Sequence, residues 1–293
     1  MEAIFGVPLP IIVGQMLLGL INGATYAMLS LGLAVIFGML SVINFAHGAQ
    51  YMVGAFVAWM LLNYLGLGFW PALLIAPLVV AGLGMVIERL FLRRLYNDDH
   101  LYGMLLTFGV ALVIEGVFRY RFGSTGQAYP NPMPGGVDLG FMFLPHYRVF
   151  IIFASLAVCL GTWFLIERTR LGSYLRASTE NALLVRTFGI NVPRLLTLTY
   201  AAGVGLAALA GVFAAPIQNV SPLMGANVII TVFAVVVIGG MGSILGSIVT
   251  GFMLGVIEGL AKVFYPQASA TVIFLIMAIV LLFRPAGLFG QVK

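Results

Sequence analysis

The sequence predicts an all-α polytopic membrane bundle of about eight to ten spans, and three observations carry that prediction. Hydrophobic residues make up 62% of the 293-residue chain and charged residues only 8%, with a mean hydropathy of +1.12; a water-soluble domain is about half apolar and about a quarter charged. The apolar residues fall into long runs that are apolar on every side, such as "FIIFASLAVCLGTWFLI" (150–166) and "ATVIFLIMAIVLLF" (270–283). A transmembrane β-barrel would instead show alternating polarity in segments of about ten residues. The chain also holds 36 glycines, and small residues let helix backbones approach closely inside lipid.

Taken in order, the apolar segments are 9–40, 46–65, 71–92, 102–119, 148–167, 195–216, 225–240, 243–263 and 269–284, separated by turns rich in Gly, Pro or charge. The chain reads as one integral-membrane domain, 1–293. Its opening "MEAIF" carries an acid and no basic stretch, so no cleavable signal peptide is expected and the first span serves as its own insertion signal. That first segment is long for one upright span, because a bilayer core needs about 20 residues. A tilted helix followed by an interrupted or re-entrant piece is expected, with Gly32, Gly38 and "SVINFAHG" (41–48) as the breaking elements.

The basic residues set the orientation. Residues 168–194 hold Arg168, Arg170, Arg176, Arg186 and Arg194. Placing this stretch in the cytoplasm and alternating the spans also puts Arg89, Arg93, Arg94, Arg284 and Lys293 inside, against Arg119, Arg121, Arg148 and Lys262 outside. This is the positive-inside asymmetry. The C-terminus is then cytoplasmic, and the Pro- and Gly-rich loop 120–147 faces outward. Clustering of the basic residues beside apolar spans assigns them to the membrane surface and not to nucleic acid. "MVIERLF" (85–91), "LVIEGVF" (112–118) and "GVIEGLA" (255–261) share a Val-Ile-Glu core, a faint trace of internal repetition.

Enzyme chemistry finds little support. No phosphate loop of the G-x-x-x-x-G-K-[ST] kind is present, and one cysteine with three scattered histidines makes no metal cluster. Cys159 sits in an apolar run as a packing residue. Polar groups inside lipid are costly and mark candidate sites: Asn22, Asn44, His47, Gln50, Glu115 and Glu258. Asn44, His47 and Gln50, with Asn22, either line a translocation path or gate, or serve the backbone at an interrupted helix. Glu115 and Glu258 precede Arg119 and Lys262 by one turn, the spacing of interfacial ion pairs. No buried, unpaired acid of the kind a proton-coupled carrier needs is evident. Gly239, Gly240, Gly242 and Gly246 offer a tight turn and close helix packing.

Within 168–194 the residues around Glu180 are helix-compatible. Thr179 is the expected cap of a short helix starting at Glu180, Gly189 its stop, and Pro193 lies beyond. Leu183, Leu184, Thr187 and Phe188 would form an apolar stripe, with Arg186 off it. Such a helix either lies on anionic headgroups or docks into a groove on a soluble partner.

Three stretches in order give the chain a resemblance: "LGLAVIFGMLSVINFAHGAQYMVGA" (31–55), "RTRLGSYLRASTENALLVRTFGINVPRLL" (168–196) and "VIGGMGSILGSIVTG" (237–251). Over nearly its whole length the chain resembles the membrane permease subunits of the high-affinity branched-chain amino acid ABC importers. The resemblance implies a multi-pass protein of a bacterial-type inner membrane. It also implies that 168–194 is a coupling loop contacting an ATPase, with Glu180, Asn181, Gly189 and Ile190 in the family's frame and Arg186 steering the contact. Leu184 and Val185 depart from the small residues common in that frame. The implied partners are two ABC ATPase subunits, a second related permease in a heterodimer, and an extracytoplasmic substrate-binding protein. This chain binds no cofactor of its own, while ATP and Mg belong to the partner ATPases. Branched-chain or related amino acids are the expected cargo, with urea or short amides the alternative within the same family. A stand-alone secondary carrier is a weaker reading. A water-channel-like pore would need two NPA-type motifs, and the chain has one "NPM" (131–133) in a loop.

Overall fold

Inside lipid every backbone N–H and C=O must be satisfied within its own segment, and the long apolar runs do this as helices. The computed structural model describes residues 3, 4, 7–40, 42–96 and 98–290; Lys293, expected on the cytoplasmic side, lies outside them. Eleven α-helices account for most of the described residues: α1 Leu9–Leu40, α2 His47–Leu65, α3 Phe69–Leu90, α4 His100–Phe122, α5 His146–Arg168, α6 Arg170–Glu180, α7 Ala182–Thr187, α8 Val192–Ala214, α9 Met224–Gly239, α10 Ile244–Phe264 and α11 Ser269–Phe283. Two short antiparallel ribbons, Ala3–Ile4 with Val7–Pro8 and Gly136–Asp138 with Phe143–Pro145, accompany them, with two 3₁₀ turns and an isolated Gln127–Val220 bridge. Among the described residues seven helical segments are long and apolar enough to cross a membrane. Helices α2 and α9 match two further apolar segments read from the sequence.

Helix α1 corrects one expectation. Its 32 residues form a single helix, about 48 Å long at ~1.5 Å per residue, and neither Gly32 nor Gly38 breaks it. Gly32 is instead a packing residue, since a Cβ there would stand 2.6 Å from the Gly203 carbonyl oxygen. The interruption falls only at residues 42–46, between α1 and α2.

The chain divides into two compact units, each assembled from separate segments. The first comprises Met1–Ser30, Asn131–Cys159 and Thr231–Lys293. In it, Gly19, Gly23 and Ala27 of α1 face Gly251, Gly255 and Gly259 of α10, each glycine so close to opposing backbone that a Cβ would collide. This four-residue spacing on both helices is the small-xxx-small seam of membrane packing. Ala234, Val235 and Ile238 of α9, Leu254 of α10 and Ile273 of α11 form a buried cluster beside it.

The second unit comprises Leu31–Pro130 and Leu160–Ile230, and its centre is the packing of α2, α3 and α8. Gly54 of α2 meets the Ala208 backbone, Gly211 meets that of Tyr51, and Gly84 of α3 meets Val204. Helix α2 is buried along most of its length, whereas α4 has only Gly103 and Thr107 buried.

Candidate functional site

The interruption between α1 and α2 exposes backbone groups that must find partners away from water. The Asn44 side-chain oxygen accepts from the Ala46 N–H at 3.1 Å, and the His47 N–H donates to the Asn44 carbonyl at 3.2 Å. Thr107 of α4 adds two contacts: its hydroxyl accepts from the Phe45 N–H at 3.1 Å and reaches the Ile43 carbonyl at 3.3 Å. The side chains then form a chain. Asn44 Nδ2 donates to Gln50 Oε1 at 3.1 Å, and Gln50 Nε2 donates to the Tyr200 hydroxyl of α8 at 3.2 Å. Asn44, His47, Gln50 and Tyr200 are all fully buried. The His47 ring lies over Gly32, where a Cβ would come within 3.0 Å of its Cε1. The structure therefore gathers Asn44, His47 and Gln50 into one place. Asn22 is half-buried on α1, within the other unit. Beside the first turn of α2 lies a cavity of about 100 Å³, lined by Phe45, Ala49, Met52, Phe108 and Ile229 with Glu115 as its charged member.

A second polar cluster was not anticipated from the sequence. Glu88, near the end of α3, is fully buried. It accepts from the Thr197 hydroxyl of α8 at 2.7 Å and from the Tyr96 hydroxyl at 2.8 Å. Among the described residues no basic side chain forms an ion pair with it. This corrects the expectation that no buried, unpaired acid exists. A signal was present: Ala72, Ala76, Val80 and Gly84 repeat every four residues, and Glu88 continues that buried stripe. Burial and the neighbouring Glu88 carboxylate push the Tyr96 phenol well above its ordinary pKa, so it stays protonated as a donor. The other two acids of the Val-Ile-Glu trace are ion-paired as their spacing predicts. Glu115 pairs with Arg119, and Glu258 pairs with Lys262 at 2.6 Å while accepting from Tyr26 at 2.9 Å.

Residues 168–194 fold as two helices. Thr179 and Glu180 end α6, where the Thr179 hydroxyl bonds back to the Arg176 carbonyl at 2.7 Å. The cap of the shorter α7 is Asn181 in place of the expected Thr179. Its side chain accepts from the Leu184 N–H at 2.9 Å, which satisfies one of the free amides of a first helical turn. Gly189 follows with φ +80°, the left-handed stop that glycine adopts without strain. Val185 is buried and seats α7, while Leu183 and Phe188 are 75% and 76% exposed and Leu184 also faces outward. Arg186 and Ile190 flank this face, Arg186 exposed and Ile190 half-buried. Asn191 caps α8 through the Arg194 N–H at 3.1 Å, so the segment runs directly into the helix that carries Thr197 and Tyr200.

In the other unit, Gly240 and Gly242 take positive φ values of 100° and 87° between α9 and α10. Ser243 caps α10 by accepting from the Gly246 N–H at 3.1 Å, and Gly239 and Gly246 abut backbone to backbone. The chain after α11 returns to this turn, where the Leu288 N–H donates to the Ile238 carbonyl at 2.8 Å.

Compared with known proteins, residues 15–282 match the family model described as the branched-chain amino acid transport system permease component. The high-affinity branched-chain amino acid transport system permease protein BraD of Pseudomonas aeruginosa is 32% identical over 94% of this chain and 95% of its own length. The corresponding LivH of Escherichia coli K12 is 28% identical over 94% and 95%. The LivM permease protein of the same organism is 28% identical over 92% of this chain and 68% of its own length. No solved structure matches.

Proposed function

This chain belongs to the branched-chain amino acid transport permease family, a membrane transport subunit and not an enzyme, and from that premise we propose how it works. Paired with a second, related permease, it forms the path by which an ATP-driven importer moves branched-chain or chemically similar amino acids. An extracytoplasmic binding protein hands over the cargo, and two partner ATPases supply the energy. Similarity to both LivH and LivM supports a pair of related permeases.

The observation that carries this reading is the surface of residues 181–190. A six-residue helix capped by Asn181 and closed by Gly189 presents Leu183, Leu184 and Phe188 outward while Val185 anchors it. An apolar face on so short a helix is the form of an element that inserts into a partner's groove. With 168–194 in the cytoplasm, that partner is the ATPase. Helix α8 begins two residues after Ile190 and passes Thr197 before reaching Tyr200. Displacement of α7 thus travels along one rigid helix, about 12 Å from Val192 to Tyr200 at ~1.5 Å per residue, to the Asn44–Gln50 network. In this reading that network, with His47, is the gate, and closure of the ATPases switches the path from outward to inward opening. The apolar cavity at Phe45, Met52 and Ile229 suits an aliphatic side chain, with specificity set mainly by the binding protein.

Affinity purification of the chain from its native membrane tests this. Co-purifying ATPases that are lost in Gly189→Asp, with insertion intact, are the expected result. A chain that purifies alone and transports in liposomes without ATP refutes it. The buried Glu88 favours one second reading, a proton-coupled carrier. Glu88→Gln separates the two, because it abolishes pH-driven uptake in a carrier and leaves ATP-driven uptake standing in an importer.

A further inference from the structure

We propose that the arginine-rich end of the second unit holds one anionic phospholipid in a defined site. Arg89 and Arg93, from the end of α3 and the turn after it, and Arg194 of α8 line a cleft of about 290 Å³, together with Asn191 and Thr197. All three arginines are exposed, and none forms an ion pair with a carboxylate among the described residues. Glu88 stands behind Thr197 as the neighbouring acidic side chain, and the three guanidinium groups outnumber it and leave the cleft positive. Guanidinium forks match phosphate oxygens bidentately, and a basic pocket between membrane helices at the bilayer surface fits an acidic headgroup.

The hydrocarbon half of the ligand has its own site on the same helix. One turn beyond Arg194, Leu198 is 62% exposed and opens an apolar groove of about 470 Å³. The groove follows one face of α8 through Leu195, Leu206 and Leu209, against Leu165 of α5 and Leu175 of α6. From Leu195 to Leu209 it runs about 21 Å at ~1.5 Å per residue, more than the ~15 Å depth of one leaflet. Phosphate in the arginine cleft with an acyl chain in this groove satisfies both ends at once. A soluble anion would use only the first, and a protein's acidic side chain would leave the groove uncovered.

The test is native mass spectrometry of the full-length chain released from nanodiscs of equal phosphatidylglycerol and phosphatidylcholine with identical acyl chains. Retained phosphatidylglycerol is expected to exceed phosphatidylcholine at least about tenfold, falling roughly fivefold for each of Arg89→Gln, Arg93→Gln and Arg194→Gln. Arg121→Gln, a charge removed elsewhere, is expected to leave the preference unchanged. Leu206→Trp, which fills the groove, is expected to lower retention with the arginines intact. Equal retention of the two lipids, or no response to the arginine substitutions, overturns the proposal. Displacement of the lipid by excess inorganic phosphate assigns the cleft to a free anion and overturns it as well. So does loss of co-purifying protein in the triple variant with lipid retention unchanged, which assigns the arginines to a protein partner.

Discussion

Replacing Gly255 by alanine adds a single methyl group to the seam between α1 and α10, and the structure says where that group must go. An added Cβ would lie 2.5 Å from the Gly19 carbonyl oxygen and against the Gly23 backbone, whereas comfortable non-bonded contact requires about 3.5–4.0 Å. The obstacle is main chain on the opposite helix, so no rotamer change relieves it and the helices must separate by about 1 Å. Gly251 and Gly259 share the seam, so their contacts loosen too. The expected cost is about 1–3 kcal/mol. The control is Gly161→Ala on α5, where nothing lies within 4 Å of an added Cβ. There the same methyl improves helix propensity by up to about 1 kcal/mol. Thermal unfolding of the full chain in one mild detergent reads both: the midpoint drops for Gly255→Ala and holds or rises for Gly161→Ala. Shifts of the same sign and size in the two variants would refute the argument that the seam depends on backbone contact.

Further substitutions probe the two polar clusters and the exposed segment. Tyr200→Phe leaves the buried Gln50 amide without its acceptor and is expected to cost about 1–3 kcal/mol; combining it with Gln50→Leu should recover part of the loss in the same unfolding assay. Thr197→Val and Glu88→Leu each remove the hydrogen bond the two side chains share, so a double-mutant cycle should return a coupling of about 0.5–3 kcal/mol, and strictly additive effects would deny the contact. Asn181→Ala removes the α7 cap at about 0.5–2 kcal/mol, visible as faster amide exchange across 182–187 with α8 unchanged. Gly189→Ala forces a Cβ into the left-handed region at about 1–2 kcal/mol, and uptake should fall while the amount of inserted protein does not.

The apolar segments were legible because their ends carry turn chemistry: α2, α8, α10 and α11 begin and end within about three residues of the runs read from the sequence. Their inner and outer faces were not. Helix α2 is buried and α4 faces outward, yet both read as continuous apolar stretches, since lipid and protein interior select the same side chains. The same limit hid Glu88. Its partners Thr197 and Tyr96 lie 109 and eight residues away, and its neighbour Arg89 made it resemble an interfacial acid. Asn44, His47 and Gln50 announced themselves by polarity within an apolar run, but Tyr200 and Thr107, which complete their hydrogen bonds, carry no local mark. The cap at Asn181 was misplaced by two residues because Thr179 and Asn181 are both good capping residues. Only the geometry separates them.

The span of the Gln50–Tyr200 hydrogen bond also bears on how the protein is made. The two residues lie 150 positions apart, and at about 5–20 residues per second the ribosome needs roughly 8–30 s to travel from one to the other. Throughout that interval Gln50 has been made and its distant partner has not. The Asn44 side chain, six residues upstream, is available from the start and can occupy the Gln50 carbonyl at once. The short-range bond thus covers the acceptor end of the amide early, while its NH₂ group waits for the Tyr200 hydroxyl that α8 brings.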